Sequence, residues 1–244
     1  MGMEAAKAMI ERAGGCHITM DTETIPGLFR TPQTNYGLFH ESNILLTDRL
    51  KATLGFRYDI TRNKIDYATS AITHLDENVM GVNVKATVRS VLEHQEDATF
   101  NQFLPKIGLT YRIDNSGSNV YALVSKGYRA GGFNIQMFSD ILQSELQSQA
   151  QSVRGDMEIA HDEQSYDNIR NTIQYRPEES WNYEVGTHLN LFDNLIHFDL
   201  AAYYMQIRNQ QLSVFATQYG FGRSMVNAGK SYSCGVETAL RGQA

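Results

Sequence analysis

Strict alternation of apolar and polar residues over strand-length segments is the feature that most limits the fold of this chain. Between positions 50 and 61, every even-numbered residue from Leu50 to Ile60 is apolar or aromatic. Every odd-numbered residue from Lys51 to Thr61 is polar, charged or glycine. Because successive side chains of a strand point to opposite faces, this pattern predicts a strand with one dry face and one wet face.

Six further segments alternate in the same way. In residues 181–191, for example, Tyr183, Val185 and Leu189 share the apolar phase. The expected strands are 36–47, 50–61, 103–113, 119–131, 181–191, 196–204 and 226–241. No run of 18 apolar residues occurs, which excludes a transmembrane helix. A transmembrane strand remains compatible, because only every second residue must then be apolar.

The connections between these strands differ in length on the two sides. Short polar turns are expected at 48–49, 114–118 and 193–194, whereas the links at about 64–100 and 132–178 are long and polar. This asymmetry is typical of outer-membrane barrels. Within the long links, we expect residues 82–88 to form a loop hairpin. The Gln/Ser-rich residues 143–152 are compatible with a short helix or with disorder.

Aromatic residues occur on the apolar phase about ten residues from the tight turns. At about 3.3 Å per residue and roughly 40° of tilt, ten residues rise about 25 Å, which is the height of the apolar band of a membrane barrel. We therefore predict an aromatic girdle formed by Tyr58, Tyr128, Trp181, Tyr183 and Tyr204. Lys126 breaks the apolar phase, and we expect it to reach an interface.

The net charge, the first residues and the two cysteines argue against three other features: nucleic-acid binding, a signal peptide within this chain and a disulfide. The formal net charge of −6 argues against a general nucleic-acid binder. Residues 1–15 lack the apolar segment of a signal peptide, so an exported parent would begin upstream. Cys16 precedes the first strand and Cys234 lies on an outward phase, so no disulfide is expected.

Several short motifs follow one another in a fixed order along the strands. They are FLPKIGLTY at 103–111, SKGYRAGGFN at 125–134, RPE at 176–178, NYEVG at 182–186, NAGKS at 227–231 and GVE at 235–237. In this order and spacing the set resembles the β-barrel of TonB-dependent outer-membrane receptors, over residues 36–241.

The resemblance implies an all-β fold: an antiparallel transmembrane β-barrel segment, part of a 22-stranded barrel. It would have about seven long strands, short periplasmic turns and long extracellular loops. Residues 1–35 would then be an extracellular loop or leader of the fragment. No segment resembles the plug domain, which we expect to be absent from this chain.

The resemblance also implies a function for the parent protein in the bacterial outer membrane. Such a receptor imports a ferric siderophore or a similar bulky ligand, with energy relayed through TonB. The implied partners are outer-membrane lipid, the TonB complex (through the parent's plug) and a ferric chelate or another nutrient ligand such as a cobalamin or a glycan. No nucleic acid is expected.

Ligand capture is expected at the extracellular rim, where strand ends and long loops meet. Arginines suit an anionic chelate, and amides suit a sugar or a peptide. The candidates are Arg129, Asn134, Arg208, Gln210, Gln211, Gln218 and Arg223. For each of them, an ordinary solvated loop position is the alternative.

Other chemistries find little support. His188 and His197 lie on the inner phase of neighbouring strands, so a metal pair is an alternative to a plain polar lining. No nucleophile–base arrangement occurs, and we expect no catalytic residue, resident metal or cofactor. Two alternatives stay open: a passive outer-membrane channel, and a soluble all-β domain whose second sheet would cover the apolar faces.

Overall fold

The computed structural model describes residues 17–79, 82–150, 155–215 and 223–242. In chain order the strands are β1 (His17–Thr22), β2 (Gly27–Arg30), β3 (Gln33–Leu45), β4 (Leu50–Val79), β5 (Val82–Arg112), β6 (Asn119–Arg129), β7 (Gly132–Phe133), β8 (Met157–Ile159), β9 (Gln174–Tyr175), β10 (Glu178–Leu191), β11 (Ile196–Arg208), β12 (Gln211–Phe215), β13 (Arg223–Asn227) and β14 (Lys230–Gly242). The helices are α1 (Met137–Ala150) and α2 (Glu163–Ile173). Neither has the length and apolar character that a membrane crossing requires.

Seven long strands form one continuous sheet in the order β3–β4–β5–β6–β10–β11–β14. Each pairs antiparallel with the next long strand along the chain. The short strands β1 and β2 pair with the distal part of β4, and β8 lies parallel to β5. The predicted all-β architecture, with about seven long antiparallel strands, is confirmed.

Local chemistry forms the tight turns at one end of the sheet. The Asp114 carboxylate accepts hydrogen bonds from the backbone N–H groups of Ser116 (2.9 Å) and Ser118 (3.0 Å), and Gly117 takes the left-handed φ of 94° that closes the loop. Between β10 and β11, Asp193 and Asn194 are also left-handed, with φ of 51° and 69°. Asp and Asn tolerate this region better than most residues do.

The link at 64–100 is not the long polar loop that the sequence predicts. Instead β4 and β5 are 30 and 31 residues long in total, and they remain paired up to Val79 and Val82. Residues 82–88 do belong to a hairpin, as predicted, but the same two strands also form the wall. The expectation that the wall strands end near 61 and 103 is therefore wrong.

A change of phase explains this difference. In the lower part of β4 the apolar residues are even-numbered, up to Ile60; beyond it they are odd-numbered, beginning with Ile65 and Tyr67. Four consecutive polar residues, 61–64, separate the two phases, and beyond them the apolar side lies on the opposite face of the sheet. We call the face that bears Phe56 and Val185 the outward face, and the opposite face the inner face. The distal hairpin is thus apolar on its inner face.

The two helices cover this apolar surface. Phe138, Leu142 and Leu146 of α1 and Ile169 and Ile173 of α2 are buried in a cluster with residues of the β4–β5 hairpin. The hairpin contributes Ile65, Tyr67, Ala71, Leu75, Ala86, Val88 and Leu92. We call this unit, the distal β4–β5 hairpin with α1 and α2, the distal lobe. It contains the main apolar core of the described chain.

The sequence left open the structure of two segments in or beside the distal lobe: the Gln/Ser-rich residues 143–150 and the early residues 17–30. Of residues 143–152, those up to Ala150 are helical, and 151–152 lie outside the described residues. Residues 17–30 include β1 and β2, which pair with the distal part of β4. The division of the chain into 1–35 and 36–241 stays a prediction.

Candidate functional site

The outward face of the seven-stranded sheet carries exposed apolar side chains. Ile107 is 56% exposed, Val185 57% and Val236 71%. Leu54, Leu109, Val120, Leu200 and Leu240 on the same face are exposed as well. No second layer of the described chain covers this face, and monomeric soluble proteins rarely expose a continuous apolar surface of this extent. It has the character of a surface in contact with hydrocarbon.

Aromatic rings cross the outward face side by side. Tyr183 of β10 lies directly opposite Tyr204 of β11, with ring centroids 6.3 Å apart, and Tyr204 is 6.1 Å from Tyr232 of β14. Tyr58 lies on the same face of β4, near the stacked rings of Phe56 and Phe103. Sequence reasoning omitted Tyr232, although its outward phase and its position near Lys230 could have identified it.

Tyr128 does not join these rings. Pairing between β5 and β6 ends at Lys106 and Ser125, and beyond that point β6 leaves its neighbour. The Tyr128 hydroxyl lies 3.0 Å from Oγ1 of Thr61, a buried residue on the inner phase of β4. The outward placement predicted for Tyr128 from its phase is thus not what the structure contains.

Trp181 and Lys126 lie next to the point where β6 separates from β5. They are register partners in the β6–β10 pair, and Trp181 is half-buried. Lys126 Nζ lies 3.3 Å from Oε2 of Glu179 and 3.4 Å from Oε1 of Gln102. The charge of Lys126 is therefore neutralised by Glu179, and its position at an interface stays a prediction.

Two of the predicted rim residues bind backbone groups of the chain itself. Asn134 is 9% exposed; its Oδ1 accepts from the Met225 N–H (2.7 Å) and its Nδ2 donates to the Met225 carbonyl (2.8 Å). Gln211 is 7% exposed, and its Nε2 donates to the carbonyls of Ala130 (2.9 Å) and Arg176 (3.1 Å). These amides hold strand ends together.

A third amide was not among the predicted residues. Asn227 accepts from the Arg176 N–H at 2.7 Å, and its Nδ2 donates to the carbonyls of Arg176 (2.8 Å) and Asn209 (2.9 Å). It repeats the arrangement of Asn134 at the adjacent strand end. The motifs that contain Asn134 and Asn227 therefore join neighbouring strand ends.

The remaining predicted residues are spread over different surfaces. Arg129 is exposed and lines a crevice with Asn63, Gly131 and Tyr175. The guanidinium carbon of Arg223 lies 5.0 Å above the ring of Phe215. Gln210 is half-buried, Arg208 lies on the outward face, and Gln218 lies outside the described residues.

The inner face of the wall is polar. Tyr121 donates to Oε1 of Glu184 (2.7 Å), and the Asp199 carboxylate binds His188 (2.7 Å) and Arg241. His197 instead bonds Oδ1 of Asn190. The two histidines thus have different partners, and the described residues contain no group of three or more side chains able to hold a metal ion.

Glycines on the inner face make room for neighbouring rings. A Cβ at Gly186 would lie 2.7 Å from the Tyr121 ring and 2.8 Å from the Leu200 carbonyl oxygen. A Cβ at Gly235 would lie 2.8 Å from the hydroxyl of Tyr203. These positions are glycine because cross-strand tyrosines lie over the backbone.

The distal lobe contains buried titratable groups. Burial raises the pKa of Glu96, an effect that the nearby Arg170 and His94 oppose. Glu145 Oε2 accepts from Ser90 (2.7 Å) and lies 3.1 Å from Nε2 of the buried His161. These contacts fasten α1 to β5 and to the segment that precedes α2.

The model of the TonB dependent receptor-like beta-barrel family matches residues 22–243. The ferric yersiniabactin uptake receptor FyuA from Yersinia pestis is 17% identical, with a TM-score of 0.38, over 91% of this chain and 32% of that one. The iron transporter FrpB from Neisseria meningitidis is 14% identical, with a TM-score of 0.42, over 88% and 34%.

The alcaligin outer-membrane receptor FauA from Bordetella pertussis is 12% identical, with a TM-score of 0.36, over 90% of this chain and 37% of that one. The chain thus spans about a third of the length of these structures. Membership rests on the family match, which covers almost the whole chain. The chain belongs to the TonB-dependent receptor β-barrel family of the outer membrane.

Proposed function

We propose that this chain is part of the barrel wall of a receptor that imports a ferric siderophore or a comparable bulky ligand by TonB-dependent transport. The observation that carries the proposal is the two-sided sheet. Its outward face is apolar and exposed at Ile107, Val185 and Val236, and its inner face is lined with bonded polar groups such as Glu184 and Asp199. Lipid on one side and a polar lumen on the other suit this arrangement.

The distal lobe supports a receptor rather than a simple pore. The helices α1 and α2 pack on the inner-face side of the β4–β5 hairpin, so they stand on the lumen side beyond the wall. A receptor uses structured extracellular elements to hold ligand-binding residues in place.

Among the predicted rim residues, Arg129 is the strongest candidate for ligand contact. It is exposed beside a crevice that Asn63, Gly131 and Tyr175 also line. None of the described ion pairs involves its guanidinium, which leaves it available for an anionic ligand. Arg223 and Gln210 remain candidates, as does Gln218. We propose a structural role for Asn134 and Gln211 instead, because their amides bind backbone groups.

The transport proposal is tested by uptake of radioactive iron bound to siderophores. The complete reading frame that contains this chain is expressed in cells lacking their own outer-membrane iron receptors, with and without a functional TonB. We expect saturable uptake that requires TonB, and reduced affinity in the Arg129→Gln variant. Uptake that does not depend on TonB or on a proton-motive force would indicate a passive channel. Uptake of cobalamin or a glycan but not of iron would show that the ligand class is wrong.

A further inference from the structure

A pair of opposed cations lies on the outward face, beyond the aromatic rings. Arg208 of β11 and Lys230 of β14 are register partners, and both are exposed. They line a crevice together with Tyr204, Gln206 and Tyr232. Tyr204 and Tyr232 are both exposed on the outward face, and they place the crevice on that face of the sheet.

Two like charges directly opposite each other on neighbouring strands are destabilising unless an anion lies between them. The nearest acidic register partner of Arg208 is Glu179, whose Oε2 already lies 3.3 Å from Lys126 Nζ. None of the described ion pairs contains Arg208 or Lys230, and no acidic residue lines the crevice. The arrangement calls for an anion supplied from outside the chain.

The height of the pair indicates where that anion is found. Arg208 is four residues beyond Tyr204 in β11, which at about 3.3 Å per residue and roughly 40° of tilt places it about 10 Å higher. Tyrosine rings mark the boundary between hydrocarbon and headgroups, and the headgroup layer adds about 5–8 Å on each side. The backbone at Arg208 therefore lies just above the headgroup layer, and the long side chains of Arg208 and Lys230 extend back to reach the lipid phosphates.

We propose that Arg208 and Lys230 form a binding site for the phosphate group of an anionic lipid in the outer leaflet. The two cations bind the phosphate, and the rings of Tyr204 and Tyr232, 6.1 Å apart, contact the upper part of the lipid chains. This assigns Arg208 to the lipid surface rather than to ligand capture at the rim.

The single tryptophan of the chain provides the test. Trp181 is the register partner of Gln206, which lines the crevice, so a lipid bound there lies near the indole. The full chain is placed in mixed micelles of an uncharged detergent with phosphatidic acid or phosphatidylcholine, both carrying brominated acyl chains that quench tryptophan fluorescence. We expect half-maximal quenching at a clearly lower mole fraction of phosphatidic acid.

Charge variants then identify the residues. Arg208→Gln and Lys230→Gln should each weaken phosphatidic acid binding about fivefold, and both together about thirtyfold. Exchanging the two residues (Arg208→Lys with Lys230→Arg) should preserve it. The matched control, Arg62→Gln with Lys64→Gln, removes two exterior cations from β4 and should leave the quenching curve unchanged. Circular dichroism confirms that each variant retains its strands.

Three results would overturn the proposal. The first is equal quenching by the two lipids, and the second is an equal loss of binding in the control variant. The third is displacement of phosphatidic acid by millimolar inorganic phosphate, which would indicate a site for a soluble anion. Because no step involves siderophore or TonB, the outcome is independent of the uptake experiment.

Discussion

The side chain of Asn134 pairs with the backbone of Met225 as a neighbouring strand would. Its Oδ1 accepts from the Met225 N–H at 2.7 Å, and its Nδ2 donates to the Met225 carbonyl at 2.8 Å. The two residues are 91 positions apart, so these bonds connect the segment after β7 to β13. A single amide thus joins two strand ends at the rim.

Replacing Asn134 by Ala should destabilise the folded chain. The change leaves both backbone groups of the half-buried Met225 without these partners. An unsatisfied buried group costs about 1–3 kcal/mol, and partial exposure to solvent places each of these toward the lower end. Urea unfolding in detergent measures the loss. The matched control is Asn35→Ala, because Asn35 is exposed and its amide oxygen accepts only a 3.5 Å bond from Gln33. Equal stability of Asn134→Ala and the control would contradict the joining role.

Replacing Gly186 by Ala tests the inner-face packing of tyrosine over glycine. The new methyl group would lie 2.7 Å from the Tyr121 ring and 2.8 Å from the Leu200 carbonyl oxygen, so the strands must shift. Overpacking of this kind costs about 1–3 kcal/mol. Gly229→Ala serves as the control, since a Cβ there meets nothing within 4 Å. Thermal unfolding followed by circular dichroism should show a lower midpoint for Gly186→Ala alone.

The stability of the distal lobe should fall as pH rises through the titration of Glu96. Burial raises the pKa of this carboxyl in the folded lobe, so the folded state holds its proton more tightly than the unfolded state does. The contribution to stability is therefore fully present below the pKa of Glu96 in the unfolded state, and it is lost as pH rises through the pKa in the folded state, where an ionised carboxylate must be buried.

The Glu96→Gln variant should show less of this pH dependence. Hydrogen exchange of the α1 and α2 amides, measured from mildly acidic to neutral pH, reports local opening of the distal lobe. Arg170, His94, Asp167 and Asp97, which also act on the Glu96 carboxyl, are present in both proteins. Protection that rises with pH in the natural chain would contradict the assignment.

A charge on the outward face should be costly, and the same charge on the inner face should not. Val185 is 57% exposed on the outward face, and Val185→Arg is expected to cost about 2–4 kcal/mol in a bilayer. Glu237→Arg places the same residue on the polar inner face of β14 and should be tolerated better. The yield of folded protein in lipid vesicles compares the two variants, and equal yields would contradict a lipid-facing surface at Val185.

The seven strands could be predicted because their information is local. Alternation with period two, as in residues 50–61, directly specifies which side of a strand is apolar. Turn residues such as Asp114 and Gly117 specify the tight connections with equal clarity. These features need no knowledge of distant parts of the chain, and the structure confirms them.

The distal lobe was not predicted because the apolar residues of β4 change from even to odd positions along the strand. Between Ile60 and Ile65 the apolar phase moves from even to odd positions, which resembles the end of a strand when the pattern is followed in one phase only. The apolar inner face of the hairpin is recognised as part of a core only when α1 is seen to cover it. Helix packing over a separation of some seventy residues, as between Tyr67 and Phe138, is not visible locally.

The rim residues show a second limit of local reasoning. Asn134 and Gln211 are polar residues at strand ends, which is also how ligand-binding amides look in a sequence. Only the fold reveals that the partners of Asn134 are backbone groups 91 residues away. Tyr128 is a related case. Because β6 departs from β5 after Ser125, the position of Tyr128 in the alternating pattern no longer predicts what surrounds its side chain.

The most direct test of the account asks which side of the sheet faces lipid. Cys234 is a free, exposed cysteine in β14, and Ser233 is its neighbour on the opposite phase. With Cys16 replaced by Ser, a nitroxide is attached to Cys234, or to position 233 in the Ser233→Cys, Cys234→Ser variant. Collision rates with oxygen and with a water-soluble nickel complex are then measured in lipid vesicles. We predict that the label at position 234 collides mainly with oxygen and the label at 233 mainly with nickel; the reverse pattern, or equal exposure of both labels to nickel, would contradict a lipid-facing outward surface.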